Sequence, residues 1–445
     1  MKRSGKWIEW DKILEVVLVF MVLSTIIFYY VEKPAPYVLW IGYYFTITLF
    51  ALQALLSFTY SLGAVLHRKF EDLDLSRNIK VPKTTFIISA YLPNEVDVIE
   101  ETILNILKNI ERPEKGIEVI LAYNTPQMQG IEPGLKELAL EWPELILANA
   151  YGSKSKSENL NYSIDMASGE MIVLIDADHL LSPDCLKRAW RWLESRYDIV
   201  QGRCEIRNGG DSLITRLVEI EFEIIYGVNH FAKSAIFDST LFGGSNGYWK
   251  RSALREIRFN KDMLTEDIDG TLRSILNGKK IFHDRTIVST ELAPSTLGGL
   301  WYQRKRWSQG WFQVSLKYQL PILFTKHLNG MQKFLWTTLL MWRVFYDLMT
   351  HFLFPIVFAF WLNQGYVSFP MSAYVWFCVV ITLTSGPFET FTAYVDAGRP
   401  KAPGLRYLFY ALMTFPYTLF KNTLQVVAMR DELLGKKEWV ISERK

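Results

Sequence analysis

Two long apolar runs open the chain. Val16 to Val31 carries no charge, Ile13 and Leu14 extend it past a lone Glu15, and Tyr37 to Leu66 is a second uncharged run ending at His67-Arg68-Lys69. At ~1.5 Å per residue, each crosses or nearly crosses a hydrocarbon core of about 30 Å. A buried soluble hairpin is the alternative, against which length and absence of charge both argue. Lys2, Arg3, Lys6 and Lys12 precede the first run, and the basic cluster ends the second. Both outer ends of the pair are therefore expected in the cytoplasm, and with them the domain after Lys69.

From Lys83 to about Asn329 the pattern changes. Thr84 to Tyr91 reads as a first strand, Ile117 to Ala122 as a second, Leu145 to Ala148 as a third and Met171 to Ile175 as a fourth. Between the first two, Ile99, Ile103, Ile106, Leu107 and Ile110 recur at helical spacing. This β-α-β order predicts an α/β domain with a mostly parallel sheet and helices on both faces.

Apolar segments return at Phe334 to Leu362, Met371 to about Phe391 and Leu405 to about Met429, now with charges inside them. Arg343, Asp347 and His351 lie in one, Glu389 in the next, and Arg406 and Lys421 in the last. Such residues either face a bundle interior or reach toward the interface from partly interfacial stretches. Ser385-Gly386-Pro387 is a candidate helix break. Five spans would leave the basic C-terminal tail outside; an even number keeps it in. The predicted layout is two membrane helices in 1–69, a cytoplasmic domain with interfacial helices in 70–329, a membrane region in 330–430 and a tail in 431–445.

Composition narrows the picture. The chain has 445 residues, half of them hydrophobic and 15% aromatic, as suits a membrane protein with a water-soluble part. A formal net charge of +3 gives no argument for nucleic acid. Cys185, Cys204 and Cys378 are scattered, pointing to buried thiols and not to a disulfide framework or zinc site. No small-residue cleavage site comes after the first apolar run, and no internal repeat or low-complexity tract stands out.

Candidate chemistry clusters in the α/β region and at its exit. The fourth strand runs into Asp176-Ala177-Asp178. Open α/β sheets bind ligands at the carboxyl ends of their strands, where two carboxylates can hold a hard ion such as Mg2+ beside a diphosphate; an acidic turn is the plain alternative. Lys156 and Asn161 precede that strand, one able to reach a phosphate and the other to anchor a loop, unless the segment is simply solvated. Phe242-Gly243-Gly244-Ser245-Asn246-Gly247 suits close approach of backbone to ligand, or a simple turn. Leu264-Thr265-Glu266-Asp267-Ile268-Asp269 opens a helix that Thr265 can cap, and acids favour a first turn. Alternatively, one carboxylate is a general base for an acceptor hydroxyl. Trp301 to Trp307 is basic and aromatic, fitting a membrane-surface helix or a lid over a diphosphate and a sugar.

Taken in order, Ser89-Ala90-Tyr91, Asn94-Glu95, Lys156, Leu160-Asn161, Asp176-Ala177-Asp178, Thr265-Glu266-Asp267 and Gln303-Arg304-Lys305-Arg306-Trp307 resemble the family-2 inverting glycosyltransferases. Within these the chain is similar to the membrane-embedded processive branch of cellulose, hyaluronan and poly-N-acetylglucosamine synthases, the last type most of all at Leu264 to Asp269 and Leu300 to Gly310. The resemblance covers about residues 83 to 320 and the flanking-helix layout. It implies a GT-A-type, Rossmann-like domain, a nucleotide-diphosphate sugar donor, Mg2+ or Mn2+, and a growing polysaccharide or lipid acceptor at a bilayer, with the plasma membrane as the expected location. The implied site has Tyr91 and Glu95 in the nucleotide-base pocket, Lys156 near the diphosphate, Asp176 on the nucleotide and Asp178 on the metal. Phe242, Gly243 and Gly244 would border the acceptor sugar. Asp267 would be the base with Glu266 beside it, and Gln303, Arg306 and Trp307 would close over diphosphate and acceptor. Trp439-Val440-Ile441-Ser442-Glu443-Arg444 resembles a tail of the same branch.

One departure concerns the base pocket. The family often has an Asp pair after the second strand, whereas this chain has Ala122-Tyr123-Asn124-Thr125-Pro126. Asn124 can replace one contact with an amide hydrogen bond, and uridine is favoured over guanosine by resemblance alone. Trp336, Trp342 and Trp361 are candidates to stack on sugars during translocation, or interface anchors. The rival readings are a transferase that adds one sugar to a lipid, and a transporter or scaffold with a degenerate nucleotide domain. Intact carboxylates at Asp176, Asp178 and Asp267 argue against the latter.

Overall fold

The computed structural model describes residues 2–3, 8–67, 79–364, 372–396, 402–436 and 440–441. The Trp439 to Arg444 tail lies outside them apart from the Val440 and Ile441 backbone, as do Arg68 and Lys69. The chain separates into two units. One gathers 1–62, 296–319 and 337–442; the other gathers 63–295 and 320–336. The segment 296–319, expected within the cytoplasmic domain, therefore groups with the apolar helices.

The second unit is built on an eight-stranded sheet. Its strands are β1 (Thr84–Tyr91), β2 (Ile117–Asn124), β3 (Leu145–Asn149), β4 (Met171–Asp176), β5 (Leu180–Leu181), β6 (Ile199–Ile206), β7 (Gly247–Lys250) and β8 (Ile281–Glu291), in the order 3-2-1-4-7-6-8-5. The four strands expected from the sequence pair in parallel. Beyond β4 the sheet is mixed: β7 runs antiparallel to β4 and β6, β5 antiparallel to β8, and β6 parallel to β8. The expectation of a mostly parallel sheet thus holds for one half. The other half was missed because polar residues such as Gln201, Arg203, His283 and Asp284 interrupt its apolar runs.

Burial explains the legible half. Thr84 to Ala90 of β1 are all buried, so no alternation survives. The Ile99–Asn109 helix turns Ile99, Ile103, Ile106 and Leu107 into the same core as Phe86, Ile88, Val119 and Val173. β1 lies between β2 and β4, so the chain reverses its direction of sheet growth at the β1/β4 boundary. Ligands of open α/β sheets bind at such a switch point. Ser89 there pairs in register with Asp176.

Four helices among the described residues, lying mostly in the other unit, are long and apolar enough to cross a membrane. They are Trp10–Glu32, Pro36–Leu66, Gly330–Gln364 and Ala373–Asp396. The Gly404–Leu433 helix is as long, but it is more polar. Leu39, Tyr43, Ile47 and Ala51 pack against Ile356, Ala359, Phe360, Val375 and Cys378. The candidate break does not occur: Ala373–Asp396 runs unbroken through Pro387. A helix with other helices around it tolerates the lost backbone bond.

Asp347 and His351 fit the bundle-interior reading. Both are buried, with His351 Nδ1 2.7 Å from the Asp347 carbonyl and Nε2 3.3 Å from Thr423 Oγ1. Arg343 stacks over the Trp311 ring at 5.2 Å. Trp336 is neither a surface anchor nor an open platform, because it is fully buried with Nε1 donating to Ser239 Oγ at 2.8 Å. Trp342 stacks on Tyr346, and Trp361 is exposed. All three cysteines are free and buried.

Candidate active site

The centre of the site is Lys156. It is the first residue of the Lys156–Met166 helix, whose cap Ser155 accepts the Glu158 N–H. Lys156 is thus a helix-start residue and not part of a solvated loop. Asn161 clamps this helix to Phe259 through both halves of its amide, at 2.7 and 2.9 Å. The Lys156 ammonium pairs with Asp176 Oδ1, lies 3.6 Å from Glu266 Oε1 and donates to the Gly244 carbonyl at 2.9 Å. Burial opposes its charge, but the carboxylates of Asp176, Glu266 and Asp267 outweigh that and raise its pKa, so it is cationic throughout the physiological range. Acids about ninety positions apart in sequence therefore share one cation.

The glycine loop closes the arrangement. Gln201, fully buried on β6, accepts the Gly243 N–H at 2.8 Å and donates to the Ser245 carbonyl at 2.9 Å. Ser245 Oγ accepts the Asp176 N–H at 3.0 Å. Gly244 has φ +92°, and a Cβ there would stand 3.0 Å from Asp267 Oδ2; one on Gly243 would stand 2.8 Å from the Tyr226 hydroxyl. Both glycines are required by close approach, and Gly244 also by its backbone conformation. Phe242, expected at a sugar border, is held in the core by its side chain. Its ring is 1% exposed and packs edge-on against Trp249 at 5.3 Å. That leaves its backbone and the two glycines to face a ligand.

Glu266 and Asp267 begin the Glu266–Leu276 helix. Thr265 occupies the cap position, but its hydroxyl makes no capping bond and is buried without a hydrogen-bond partner. Asp267 Oδ1 accepts the Ile268 N–H at 2.9 Å, and Glu266 is 4% exposed.

Asp178 is 3% exposed; its Oδ2 accepts the Leu292 N–H at 3.3 Å, and Arg207 donates to its carbonyl. His179 turns away to Glu291 Oε2 at 2.7 Å. Burial disfavours its charge, but Glu291 and the neighbouring Cys204 raise its pKa. His179, Cys204 and Glu291 lie within 4.8 Å of one another, with the His–Glu ion pair already made. The hard oxygen donors are Asp176 and Asp178, two positions apart at the strand end. This donor set fits Mg2+ or Mn2+ better than a softer ion.

Tyr91 ends β1 opposite Asn124 in register, and Glu95 is buried one turn on. Asn124 is engaged twice: Nδ2 donates to the Ser153 carbonyl at 3.0 Å and Oδ1 accepts from Asn159 at 2.8 Å. One N–H and one lone pair are left over for a ligand. Gln303, Arg306 and Trp307 sit on the Leu297–Phe324 helix, within the other unit. Arg304 stacks over the Trp307 ring at 4.1 Å, and Gln303 Oε1 is buried without a hydrogen-bond partner. The residues that sequence reasoning missed are Gln201 and Ser245. A polar side chain inside Ile199-Val200-Gln201 was the available signal for the first.

Comparison with known proteins adds the family. Residues 171–388 match the model of "Glycosyl transferase family group 2". The chain is 24% identical over 372 residues to a poly-β-1,6-N-acetyl-D-glucosamine synthase of Staphylococcus epidermidis, covering 81% of this chain and 86% of the relative. It is 27% identical over 248 residues to the synthase of the same name from Staphylococcus aureus, covering 54% and 58%. Among solved structures, a Pyrobaculum calidifontis mannosyltransferase in complex with GDP-Man and Mn2+ shares the fold, with a TM-score of 0.55, 18% identity and coverage of 87% and 100%. The expectation drawn from the ordered motifs is met: with a GT-A-like mixed sheet and apolar helices before and after it in the chain, residues 171–388 match a family-2 glycosyltransferase domain, and the chain is similar to the poly-β-1,6-N-acetylglucosamine synthases.

Proposed function

We propose that the protein is a processive, inverting, metal-dependent synthase. It would polymerise N-acetylglucosamine from its uridine-diphosphate donor into a β-linked polysaccharide and pass the product across the plasma membrane, with its catalytic domain in the cytoplasm. The observation that carries this reading is the convergence of Asp176, Glu266 and Gly244 on Lys156, with the Asp267 carboxylate against Gly244. The names of the homologous synthases favour the sugar.

The chemistry comes from the residues. An acceptor hydroxyl attacks the anomeric carbon from the face opposite the diphosphate. Asp267 takes the hydroxyl proton, and Glu266 keeps the pocket acidic beside it. The bond from anomeric carbon to β-phosphate oxygen breaks, and its electron pair leaves with the nucleoside diphosphate. An α-linked donor thus yields a β-linked product. Lys156 supplies fixed positive charge near the diphosphate, and Arg306 a planar donor to the same group. Asp178 and Asp176 would hold Mg2+ or Mn2+, which supplies charge neutralisation to the leaving diphosphate when bound. Tyr91, Glu95 and Asn124 would hold the base, and Gly243 and Gly244 would border the acceptor while Gln303 and Trp307 cover it.

The test uses purified full-length protein with Mg2+ or Mn2+ and uridine-diphosphate N-acetylglucosamine or glucose. Nucleoside-diphosphate release with the first donor, and a product that barely migrates on a gel, are expected. A single sugar on an extractable lipid would overturn processivity; release with glucose alone would overturn the sugar.

A further inference from the structure

The Leu297–Phe324 helix has two chemically different sides. At ~100° per residue, Trp301, Lys305 and Gln309 climb one side, while Gln303 and Trp307 lie about half a turn from Lys305. The first side is held along its length. Trp301 Nε1 donates to Glu9 Oε2 at 3.1 Å. Lys305 Nζ pairs with Glu9 Oε2 at 2.6 Å and with Asp431 Oδ2 at 2.5 Å. Lys12 pairs with the same two acids, at 2.6 Å each. Further along, Gln309 and Gln313 both donate to Glu432 Oε2, at 2.9 and 2.8 Å.

Two lysines and two acids therefore close into a ring of alternating charge. Its members come from the entrance to the first apolar helix, the Leu297–Phe324 helix and the end of the Gly404–Leu433 helix. The ring is largely withdrawn from water: Asp431 is 2% exposed, Lys305 13%, Lys12 14% and Glu9 19%. Exposed ion pairs exchange partners readily and fix little. Here each charge has two partners within the ring, Asp431 gains a third in Arg430 at 3.2 Å, and releasing one leaves an uncompensated charge in a poorly hydrated place. A slip of the helix by one residue would rotate its faces by about 100° and break every bond that Lys305 makes to the ring.

We propose that Glu9, Lys12 and Asp431 are positioning residues for sugar transfer. Through Lys305 and Trp301 they lock the rotation of the Leu297–Phe324 helix, and so the orientation of Gln303, Arg306 and Trp307 on its other sides. The proposal rests on the role proposed for those three residues over the diphosphate and acceptor. It gives Lys12 a task beyond that of a basic flank to the first span, and makes the head of the chain part of the catalytic apparatus.

The experiment compares Glu9→Gln, Asp431→Asn and Trp307→Ala in the full-length enzyme, with turnover expressed per folded molecule. Glu9→Gln leaves every basic flank residue in place, so topology is undisturbed. Glu9→Gln and Asp431→Asn are expected to lower kcat about 10- to 100-fold with donor KM nearly unchanged. Glu9→Asp should restore most of the activity. The Glu9→Gln/Trp307→Ala double variant should be no slower than Trp307→Ala alone, since both act through one helix. If Glu9→Gln does not fold, Trp301→Phe keeps an aromatic ring in this buried place while removing the indole N–H bond to Glu9 and some packing volume, and should give a smaller fall of the same kind. Wild-type turnover in Glu9→Gln and Asp431→Asn, beside a crippled Trp307→Ala, would overturn the positioning role alone. Wild-type turnover in Trp307→Ala would overturn the reading beneath it as well.

Discussion

In β1 to β4 the strands are parallel, linked by helices, and nearly all apolar inside. In β5 to β8 parallel and antiparallel pairings mix, and the strand interiors carry Gln201, Arg203 and Asp284, all buried. Each of those polar groups is answered by a distant partner: Gln201 by the glycine loop, Arg203 by Glu223, Asp284 by Arg191 at 2.8 Å and Trp192 at 2.8 Å. The first half is placed by burial, the second by hydrogen bonds and ion pairs. The candidate site lies where they meet, with Asp176 and Asp178 at the end of the apolar half and the Gly243–Ser245 loop pinned by the polar half.

This contrast can be broken in three places. Asp178→Ala removes the proposed hard-cation ligand from the apolar half. Donor affinity measured with Mg2+ or Mn2+ should fall about 10- to 100-fold, while affinity without metal stays the same; equal affinities in variant and wild type would remove Asp178 from the metal site. Gly244→Ala attacks the junction. The added Cβ meets the Asp267 carboxylate at 3.0 Å on a backbone with φ +92°, at a strain of about 1–2 kcal/mol. Turnover should drop at least tenfold with donor binding kept, and unimpaired turnover would show that Asp267 need not stand there. Gln201→Leu tests the polar half. It strands the Gly243 N–H and Ser245 carbonyl, and the domain should lose about 1–3 kcal/mol in denaturant unfolding. A stability unchanged within a few tenths would mean that the loop is held by something else.

The same contrast explains what could be read from the chain. Apolar runs buried on both faces gave β1, β2 and β4 almost residue for residue, because such runs admit few alternatives, and the half-buried β3 was legible as a short apolar run beside them. The strand Ile281–Glu291 escaped notice because His283-Asp284-Arg285 looks like a solvated turn until Arg191 and Trp192 are seen to bury it. At the site, the acidic motifs and the glycine loop were legible as residue types. Lys156 as the shared counter-charge was not, since pairing across 88 positions to Gly244 has no local signature. Pro387 misled because its cost to a helix depends on surroundings that sequence does not show. Thr265 stands where a cap should, but its hydroxyl does not cap; only the position was readable.

The claim on which the account turns is that Asp267 accepts the acceptor's proton, and Asp267→Asn tests it most directly. The two side chains are nearly the same shape, and the amide cannot take the proton. Calorimetric donor binding in Mg2+ should remain within a few-fold of wild type while polymer formation becomes undetectable. Normal polymer formation by Asp267→Asn, or a loss of donor binding as large as the loss of activity, would contradict it.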